Sequence, residues 1–329
     1  MSDPLEFPVD DLPWVDRPAA EIDRYIAERC SDVVDRELLR YQLLHWQAFG
    51  YVIVPGAVEP ELIDALLGDV DEMLSDHRRY RTVVDSHRYP QKPMCEVDQA
   101  TIDSHRADSA IEPIRILDFI HHSVAAKRIS LHPAVTRVLE HALGDRVVAF
   151  QSLNFFYGSQ QPIHQDFAYV PGRPRARLVA SWVALEDIHP DSGPLVYIPG
   201  SHRLRKFDWA DGPFKVPGTK RNEIEFEAHI LREAERAGLQ RQVFCPKKGD
   251  ALLWHSALAH GGSPVADPKR TRKAYVTHYA PHRTHSVHVH ATHKDADMID
   301  YPGGLAMRHP LFPELDDVFR RAAPPVGSR

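Results

Sequence analysis

A histidine and an aspartate that could bind a metal ion lie two residues apart in the segment PIHQDFAY, residues 162–169. The segment has the pattern of a β-strand, and side chains two apart on a strand project from the same face. We therefore expect the imidazole of His164 and the carboxylate of Asp166 to converge, with Gln165 on the opposite face. An imidazole nitrogen and a carboxylate oxygen are ordinary ligands of a divalent metal ion.

The same His-x-Asp spacing occurs at two other places in a chain with 21 histidines, so the spacing alone is weak evidence for a site. His189 and Asp191 belong to HPDSGP, whose prolines and glycine indicate a loop. His293 and Asp295 belong to a polar tail. The first pair differs from these two because it adjoins aromatic and apolar residues of a predicted strand.

A third ligand is needed, and the segment GDALLWHSALAHGGSPV offers two histidines. His255 and His260 are on opposite faces if this strand is regular, so at most one of them can join the pair, and we expect His255 to be a packed residue. Gly261 and Gly262 would let the backbone approach the metal after His260. Two histidines and one carboxylate form the facial triad of non-haem iron oxygenases, which leaves other coordination positions open.

Arg272 follows these histidines and precedes the apolar strand pattern AYVTHYA. An arginine inside a β-barrel is unfavourable unless a carboxylate pairs with it. The planar guanidinium suits a dicarboxylic cosubstrate, because it can donate two parallel hydrogen bonds to a carboxylate. Taken by themselves, these residues leave a purely structural explanation equally open.

The elements that would position these residues form two blocks within one predicted catalytic domain, residues 1–329. Amphipathic patterns indicate a mainly helical N-terminal layer at 17–145, and short apolar segments separated by Gly, Pro and Asp indicate strands at 146–285. We expect a charged, partly helical insertion at about 203–241 and a C-terminal extension at 286–329. The predicted fold class is mainly β with helical additions, a double-stranded β-helix (cupin-like jelly roll) packed on the N-terminal helices.

Two polar regions resist assignment to this framework. Residues 78–113 are rich in His, Arg and Asp and are typical of a mobile segment over a site. We expect this segment and the insertion at 203–241 to set substrate specificity. The dense histidine cluster is expected on the solvated surface or in a loop near the mouth of the site; its members are His278, His282, His285, His288, His290 and His293.

Composition limits the classes of partner and compartment. The net charge of −6 does not provide the basic field that nucleic-acid binding needs. No apolar run is long enough to span a membrane, and the acidic N-terminus lacks the pattern of a signal peptide. Three widely spaced cysteines suit a reducing compartment. We expect a cytoplasmic monomer or homodimer whose partner is a small molecule.

Five segments in a fixed order resemble the phytanoyl-CoA dioxygenase (PhyH-like) family of iron(II)- and 2-oxoglutarate-dependent oxygenases. They are GYVIVPGAVEPELIDALL, HQD, SWVALEDIHPDSGPLVYIPGSH, GDALLWHSALAHGGSP and RKAYVTHYAP. The resemblance covers about residues 46–281, and the ordered set is more specific than any one segment. It implies an enzyme that uses Fe(II), 2-oxoglutarate and O2 to hydroxylate an unactivated C–H bond, with release of succinate and CO2.

The resemblance also implies roles for individual residues. The iron ligands would be His164, Asp166 and His260. Arg272 would hold the distal carboxylate of 2-oxoglutarate, and Trp182 would lie beside this cosubstrate. Arg115 falls where a relative has a basic cosubstrate contact, and Gln165 lies inside the ligand motif as a further cofactor-binding candidate.

Membership in such a family does not identify the substrate, because one fold hosts many reactions. We expect a small specialised metabolite. Two other functions stay open at this point. One is a cupin-like metalloenzyme that isomerises or hydrolyses its substrate with Zn²⁺ or another metal, and the other is a non-catalytic module that binds a small molecule on the same fold.

Overall fold

Six of the α-helices that the structure describes lie in the first half of the chain, and this helical layer packs against one face of a large sheet. The computed structural model describes residues 5–18, 20–31, 33–80, 82–170, 174–284, 298–301 and 303–307. The helices in these ranges are α1 (Ile22–Arg29), α2 (Arg36–Phe49), α3 (Pro60–Ser75), α4 (Gln99–Arg106), α5 (Val124–Ser130), α6 (Pro133–Leu143) and α7 (Glu223–Arg236). Helices α1 to α6 lie between residues 17 and 145.

The ends of these helices follow from local capping residues. The Asp35 side chain accepts a hydrogen bond of 2.9 Å from the backbone N–H of Leu38, which begins α2. Gly50 ends α2 with a φ of 79°, a conformation that glycine adopts without strain. Pro60 is the first residue of α3, where its missing N–H is not needed. Within the described ranges, none of the helices combines the length and apolar composition required to cross a bilayer.

The strands form two sheets that together make the jelly roll. The strands are β1 (Tyr51–Val54), β2 (Val83–Asp85), β3 (Lys92–Pro93), β4 (Arg115–Leu117), β5 (Val147–Phe155), β6 (Val179–Ala184), β7 (Leu195–Tyr197), β8 (Gln242–Phe244), β9 (Ala251–His255), β10 (His260–Gly262), β11 (Ala274–Pro281), β12 (Met298–Tyr301) and β13 (Gly304–Met307). The large sheet has the order β1-β9-β6-β11-β5-β4-β2-β3, and the small sheet has the order β10-β7-β8. Neighbouring strands are antiparallel except β13, which pairs with β5 in parallel.

The two faces of the large sheet are buried in different ways. One face packs on the helical layer, in a core that includes Trp46, Leu66 and Tyr275. The other face packs on the small sheet, in a core that includes Trp182 and Phe244. Burial on both faces explains why β6, β9 and β11 are buried along their entire length. The predicted fold class, a double-stranded β-helix packed on N-terminal helices, is confirmed.

The polar segment at 78–113, which resisted assignment from the sequence, contains regular structure. Strand β2 pairs with β3 and β4 and thereby extends the large sheet. Asp98 caps the start of helix α4, since its side chain accepts from the backbone N–H of Thr101 at 2.9 Å. The segment looked irregular because its strands are two or three residues long, too short for an alternating pattern to be recognised.

Part of the predicted C-terminal extension folds back onto the jelly roll. Strands β12 and β13 form a hairpin, and Leu305 and Ala306 of β13 pair with Val148 and Ala149 of β5. The described residues end at 307. Several histidines of the predicted cluster, together with the His-x-Asp pair of the polar tail, lie outside the described residues: His285, His288, His290 and His293 with Asp295.

A buried carboxylate connects the N-terminal segment to the jelly roll. The Asp16 side chain is 5% exposed, and its oxygens lie 3.8 Å from Nε2 of His202 and 3.9 Å from Nε2 of His255. Burial raises the pKa of Asp16 to about 7, although the indole of Trp46 and the guanidinium of Arg203 act in the opposite direction. Burial also lowers the pKa of His202 to about 3, and that of His255 well below its usual value, so both imidazoles are neutral.

The free energy of unfolding of Asp16→Asn, compared with that of the wild type at the same pH, is expected to be larger at pH 8 than at pH 5. A carboxyl whose pKa is raised on folding contributes its full stability below its unfolded pKa, and this contribution is lost as the pH rises through about 7. The free energy of unfolding of the wild type should therefore fall by about 2 to 4 kcal/mol relative to the variant between pH 5 and pH 8. Denaturant unfolding of both proteins at the two pH values measures this difference. If the free energies of unfolding of the two proteins differ by the same amount at pH 5 and pH 8, the pKa of Asp16 is not raised by folding.

Candidate metal centre

The two histidines of the candidate site are held together by the backbone. His164 and His260 form an antiparallel bridge, in which each N–H donates to the other residue's carbonyl at 2.9 and 3.0 Å. The predicted strand at 162–169 is reduced to this single bridge, since a 3₁₀ turn begins at Asp166. Gln165, which lies between His164 and Asp166, has an extended backbone with φ −129° and ψ 126°. His164 and Asp166 therefore still project to the same side, as the spacing predicted.

The side chains of these three residues converge on one point. Nε2 of His164 and Nε2 of His260 each lie 3.6 Å from Oδ1 of Asp166. The three potential ligand atoms all lie within 4.8 Å of one another. His164 comes from the segment before the turn and His260 from β10, so the site joins two distant parts of the sequence. Two imidazole nitrogens and one carboxylate oxygen are a donor set that fits Fe(II) and leaves further positions open.

Backbone carbonyls fix the tautomer of both histidines. Nδ1 of His164 donates to the carbonyl of Pro162 at 2.9 Å, and Nδ1 of His260 donates to the carbonyl of Leu258 at 3.0 Å. A neutral imidazole that carries its proton on Nδ1 has its lone pair on Nε2. Both Nε2 atoms that face Asp166 are therefore available for metal binding. Such hydrogen bonds from the distal ring nitrogen are the usual support of a metal-bound histidine.

The charges at the site also suit a cation. Burial raises the pKa of Asp166, but the surrounding His260, His278 and His164 more than offset it, and the pKa lies well below its usual value. Burial, followed by the neighbouring His260, lowers the pKa of His164 to about 4. At neutral pH, Asp166 is thus an anion and His164 is a neutral ligand. These are the protonation states that metal binding requires.

A cavity of about 470 Å³ lies beside the three residues. Arg272 lines it from the segment before β11, and Trp182 lines it from β6. Apolar side chains form much of the remaining wall, among them Leu117, Leu153, Phe155, Leu195 and Val276. A small molecule that enters this cavity passes mainly apolar side chains before it reaches the candidate metal centre.

Arg272 is a buried cation, and none of the described carboxylates lies in direct contact with it. It is 3% exposed, and its Nε has no hydrogen-bond partner among the described residues. Its guanidinium lies 5.2 Å from the ring centroid of Phe155 and 5.6 Å from that of Trp182. Burial lowers its pKa to about 10, against the opposing effect of Glu186, so it stays charged at neutral pH. A buried charge in this state is unfavourable unless an anion joins it, which indicates a site for a carboxylate.

The other two predicted cofactor-binding residues have different surroundings. Arg115 begins β4 and lines the cavity, and its Nε and Nη2 donate to Oδ2 of Asp85 at 3.0 and 2.6 Å. This ion pair holds the guanidinium in a fixed direction. Gln165 is buried and points away from the cavity, where its Nε2 donates to the carbonyl of Ala257 at 2.5 Å. Gln165 therefore ties the segment between two candidate ligands to the loop before β10.

Two residues that the sequence reasoning missed contact Asp166. Trp254 of β9 donates from Nε1 to Oδ2 of Asp166 at 2.8 Å, and Nε2 of His278 lies 3.6 Å from the same oxygen. The prediction of a surface position for His278 is wrong, because it is 4% exposed on β11. Strand alternation could have revealed it, since Arg272, Val276 and His278 are separated by even numbers and all line the cavity. His282, by contrast, is exposed.

The glycines after His260 allow a close approach of the backbone, as predicted. A Cβ on Gly261 would lie 2.7 Å from the carbonyl oxygen of Gln161, and one on Gly262 would lie 2.6 Å from the backbone nitrogen of Gln160. Any larger residue would therefore push β10 away from the segment that carries His164. His255 is packed rather than ligating: its Nδ1 accepts from the N–H of Ala257 at 2.8 Å.

Comparison with known proteins gives three kinds of similarity. A profile of the phytanoyl-CoA dioxygenase (PhyH) family matches residues 46–274. The peroxisomal phytanoyl-CoA dioxygenase of Homo sapiens is 31% identical over 142 residues, which cover 42% of this chain and 38% of the human protein. The chain thus aligns with less than half the length of this relative.

The similarity is broader for two other proteins. The 1-deoxypentalenic acid 11-beta-hydroxylase of Streptomyces exfoliatus is 26% identical over 252 residues, 72% of this chain and 79% of that protein. The crystal structure of EctD from S. alaskensis with bound Fe superposes with a TM-score of 0.55 at 18% identity, over 76% of this chain and 78% of that one. This likeness supports the jelly-roll fold. Since the family profile spans most of the sequence, the chain belongs to the phytanoyl-CoA dioxygenase (PhyH) family.

Proposed function

We propose that the protein is an Fe(II)- and 2-oxoglutarate-dependent dioxygenase that hydroxylates an unactivated C–H bond of a small molecule. The observation that carries the proposal is a shared cavity, which contains a 2-His-1-carboxylate set and a buried arginine that none of the described carboxylates contacts directly. The first fits Fe(II), and the second fits the distal carboxylate of a dicarboxylic acid. The Streptomyces relative, itself named a hydroxylase, supports the same reaction type.

The residues of the site have separate roles in this proposal. His164, Asp166 and His260 would hold Fe(II), and Arg272 would pair with the distal carboxylate of 2-oxoglutarate. Trp182, next to the Arg272 guanidinium, would pack against the carbon chain of the cosubstrate. Arg115, which starts β4 of the same sheet, would contact the anionic cosubstrate while Asp85 keeps its guanidinium in place.

The chemistry that the bound metal supplies is the coupling of two oxidations. One oxygen atom of O2 enters succinate as 2-oxoglutarate loses CO2, and the other enters the C–H bond of the substrate as a hydroxyl group. The protein contributes binding and orientation. The Nδ1 hydrogen bonds keep both Nε2 lone pairs directed at the metal position, and the apolar cavity wall limits the access of water. None of these residues acts as a general base.

A small specialised metabolite is the substrate class that we propose. The cavity wall beyond the metal position receives Glu223 and Phe226 from α7 and Gln91 from the turn between β2 and β3. Both segments correspond to the regions that we expect to set specificity. A mainly apolar wall with a few polar groups suits a compact substrate with neutral hydrogen-bonding groups.

Succinate formation tests the proposed function. The protein loaded with Fe(II) under air is expected to convert 2-oxoglutarate to succinate, at a slow rate without substrate and faster with an accepted one. The reaction should stop without Fe(II), without O2 or with Zn²⁺ in place of iron. Succinate release can be followed by chromatography, with heat-denatured protein as the control. A cupin-like hydrolase or isomerase, or a non-catalytic binding module, would give no metal-dependent succinate, and such a result would overturn the proposal.

A further inference from the structure

The two oxygens of the Asp166 carboxylate have different neighbours. Oδ1 lies 3.6 Å from Nε2 of both His164 and His260. Oδ2 accepts the indole N–H of Trp254 at 2.8 Å and has Nε2 of His278 at 3.6 Å. One oxygen thus faces the candidate metal position and the other faces N–H donors. An unrestrained carboxylate can bind a metal ion through one oxygen or through both.

We propose that the Trp254 indole, with His278 as a second N–H group, is a positioning device that restricts Asp166 to one-oxygen coordination. A carboxylate that binds through both oxygens occupies two coordination positions, which would leave less room for a chelating cosubstrate and O2. The indole holds Oδ2 in a hydrogen bond and so keeps it from turning toward the metal. The inference rests on the metal centre of the proposed function, but not on the identity of the substrate.

The Trp254 side chain is itself held rigidly, which a positioning role requires. Trp254 lies on β9, between two neighbouring strands of the large sheet, and is paired with Tyr51 of β1 on one side and Ala180 of β6 on the other. It is 2% exposed, and its ring centroid lies 5.0 Å from that of His260. The same side chain therefore contacts two of the three candidate ligands. A donor fixed by backbone pairing and by packing loses little freedom when it holds the carboxylate.

His278 acts at longer range. Its distance of 3.6 Å from Oδ2 exceeds a normal hydrogen bond, so its contribution is electrostatic. It sits on β11 opposite Gln151 of β5, one residue before a shift in the pairing register of these strands. Its Nδ1 is buried without a hydrogen-bond partner among the described residues. This leaves Nε2 as the nitrogen that faces a charged group, the carboxylate of Asp166.

The experiment compares Co(II) binding by the full-length wild type, Trp254→Phe and Trp209→Phe, without cosubstrate or substrate. Co(II) is the probe because its visible absorption reports both affinity and coordination number. Trp254→Phe should weaken Co(II) binding by about 10-fold or more, the usual effect of losing a group that orients a metal ligand, and should change the absorption bands. Trp209→Phe is the matched control, since Trp209 is fully buried and its Nε1 has no hydrogen-bond partner among the described residues.

The outcomes separate this inference from the proposed function. Co(II) affinity and spectrum unchanged in a folded Trp254→Phe variant, or the same loss in Trp209→Phe, would overturn the inference. Should Trp254→Phe not fold, His278→Gln and His278→Leu decide instead: Gln retains an N–H and should bind Co(II) more tightly than Leu, and equal binding contradicts the inference. A wild type that binds Co(II) but forms no succinate with Fe(II) contradicts the proposed function and leaves the positioning role of Trp254 standing.

Discussion

Asp166→Asn is expected to abolish metal-dependent succinate formation and to weaken Fe(II) binding by roughly 100- to 4,000-fold. The substitution keeps the shape of the side chain but removes the negative charge that faces two imidazole nitrogens. Loss of one partner from a buried charged cluster costs about 3 to 5 kcal/mol, which corresponds to this range in affinity. The hydrogen bond from Trp254 can persist to the amide oxygen, so the effect reports the charge.

A matched control exists in another His-x-Asp pair of the same chain. Asp191 lies 3.6 Å from His189 on the surface, where its side chain is 55% exposed. Asp191→Asn should leave Fe(II) affinity and succinate formation unchanged. Metal affinity is measured by calorimetry under anaerobic conditions, and succinate by chromatography. Similar losses in both variants, or retention of metal binding in Asp166→Asn, would show that the three converging residues are not the metal centre.

Arg272→Gln is expected to raise the KM for 2-oxoglutarate by roughly 30- to 4,000-fold, with a much smaller effect on Fe(II) binding. Truncation of one member of a buried ion pair costs about 2 to 5 kcal/mol. Arg272→Lys should lie between the wild type and Gln, because it keeps the charge but loses the two-pronged geometry. Thermal stability without cosubstrate should not fall, since the substitution removes a buried cation that no carboxylate in the described part of the chain contacts directly.

Arg270→Gln is the control for this prediction. Arg270 is two residues away, its side chain is 45% exposed, and it pairs with Asp267 on the surface. An exposed pair of this kind contributes little, so the KM for 2-oxoglutarate should stay within about twofold of the wild type. The measurement is succinate formation at increasing cosubstrate concentration. Equal KM values for Arg272→Gln and the wild type would mean that the buried guanidinium does not bind the cosubstrate.

The parts of the site that sequence reasoning predicted depend on strand alternation and on residue chemistry. The convergence of His164 and Asp166 needed only an extended residue between them, and this holds although the predicted strand is a single bridge followed by a 3₁₀ turn. The odd separation of His255 and His260 limited the third ligand to one of them, and the resemblance to a family selected His260. The large separation of His164 and His260 along the chain could be bridged only by the resemblance to a family, because no local pattern shows that two distant segments pair.

The parts that were missed depend on contacts across the sheet. Trp254 looks like an ordinary core residue in the sequence, and only the geometry brings its N–H to Asp166. His278 was grouped with a run of surface histidines. It is six residues from Arg272, however, and an even separation along a strand places both side chains on the face that lines the cavity. Strands β2 and β3 were missed because elements of two or three residues are stabilised by their neighbours rather than by a pattern of their own. Local periodicity carries no information about such long-range partners.

The backbone bridge between His164 and His260 makes the metal centre part of the folding cooperativity of the domain. A bound ion would act as a cross-link between two segments that are far apart in sequence, in the way that a disulfide closes a long loop. By thermodynamic linkage, a metal present at 100 times its dissociation constant adds about 2.7 kcal/mol to the free energy of unfolding. Iron supply would then govern both the activity of the protein and its resistance to unfolding and proteolysis.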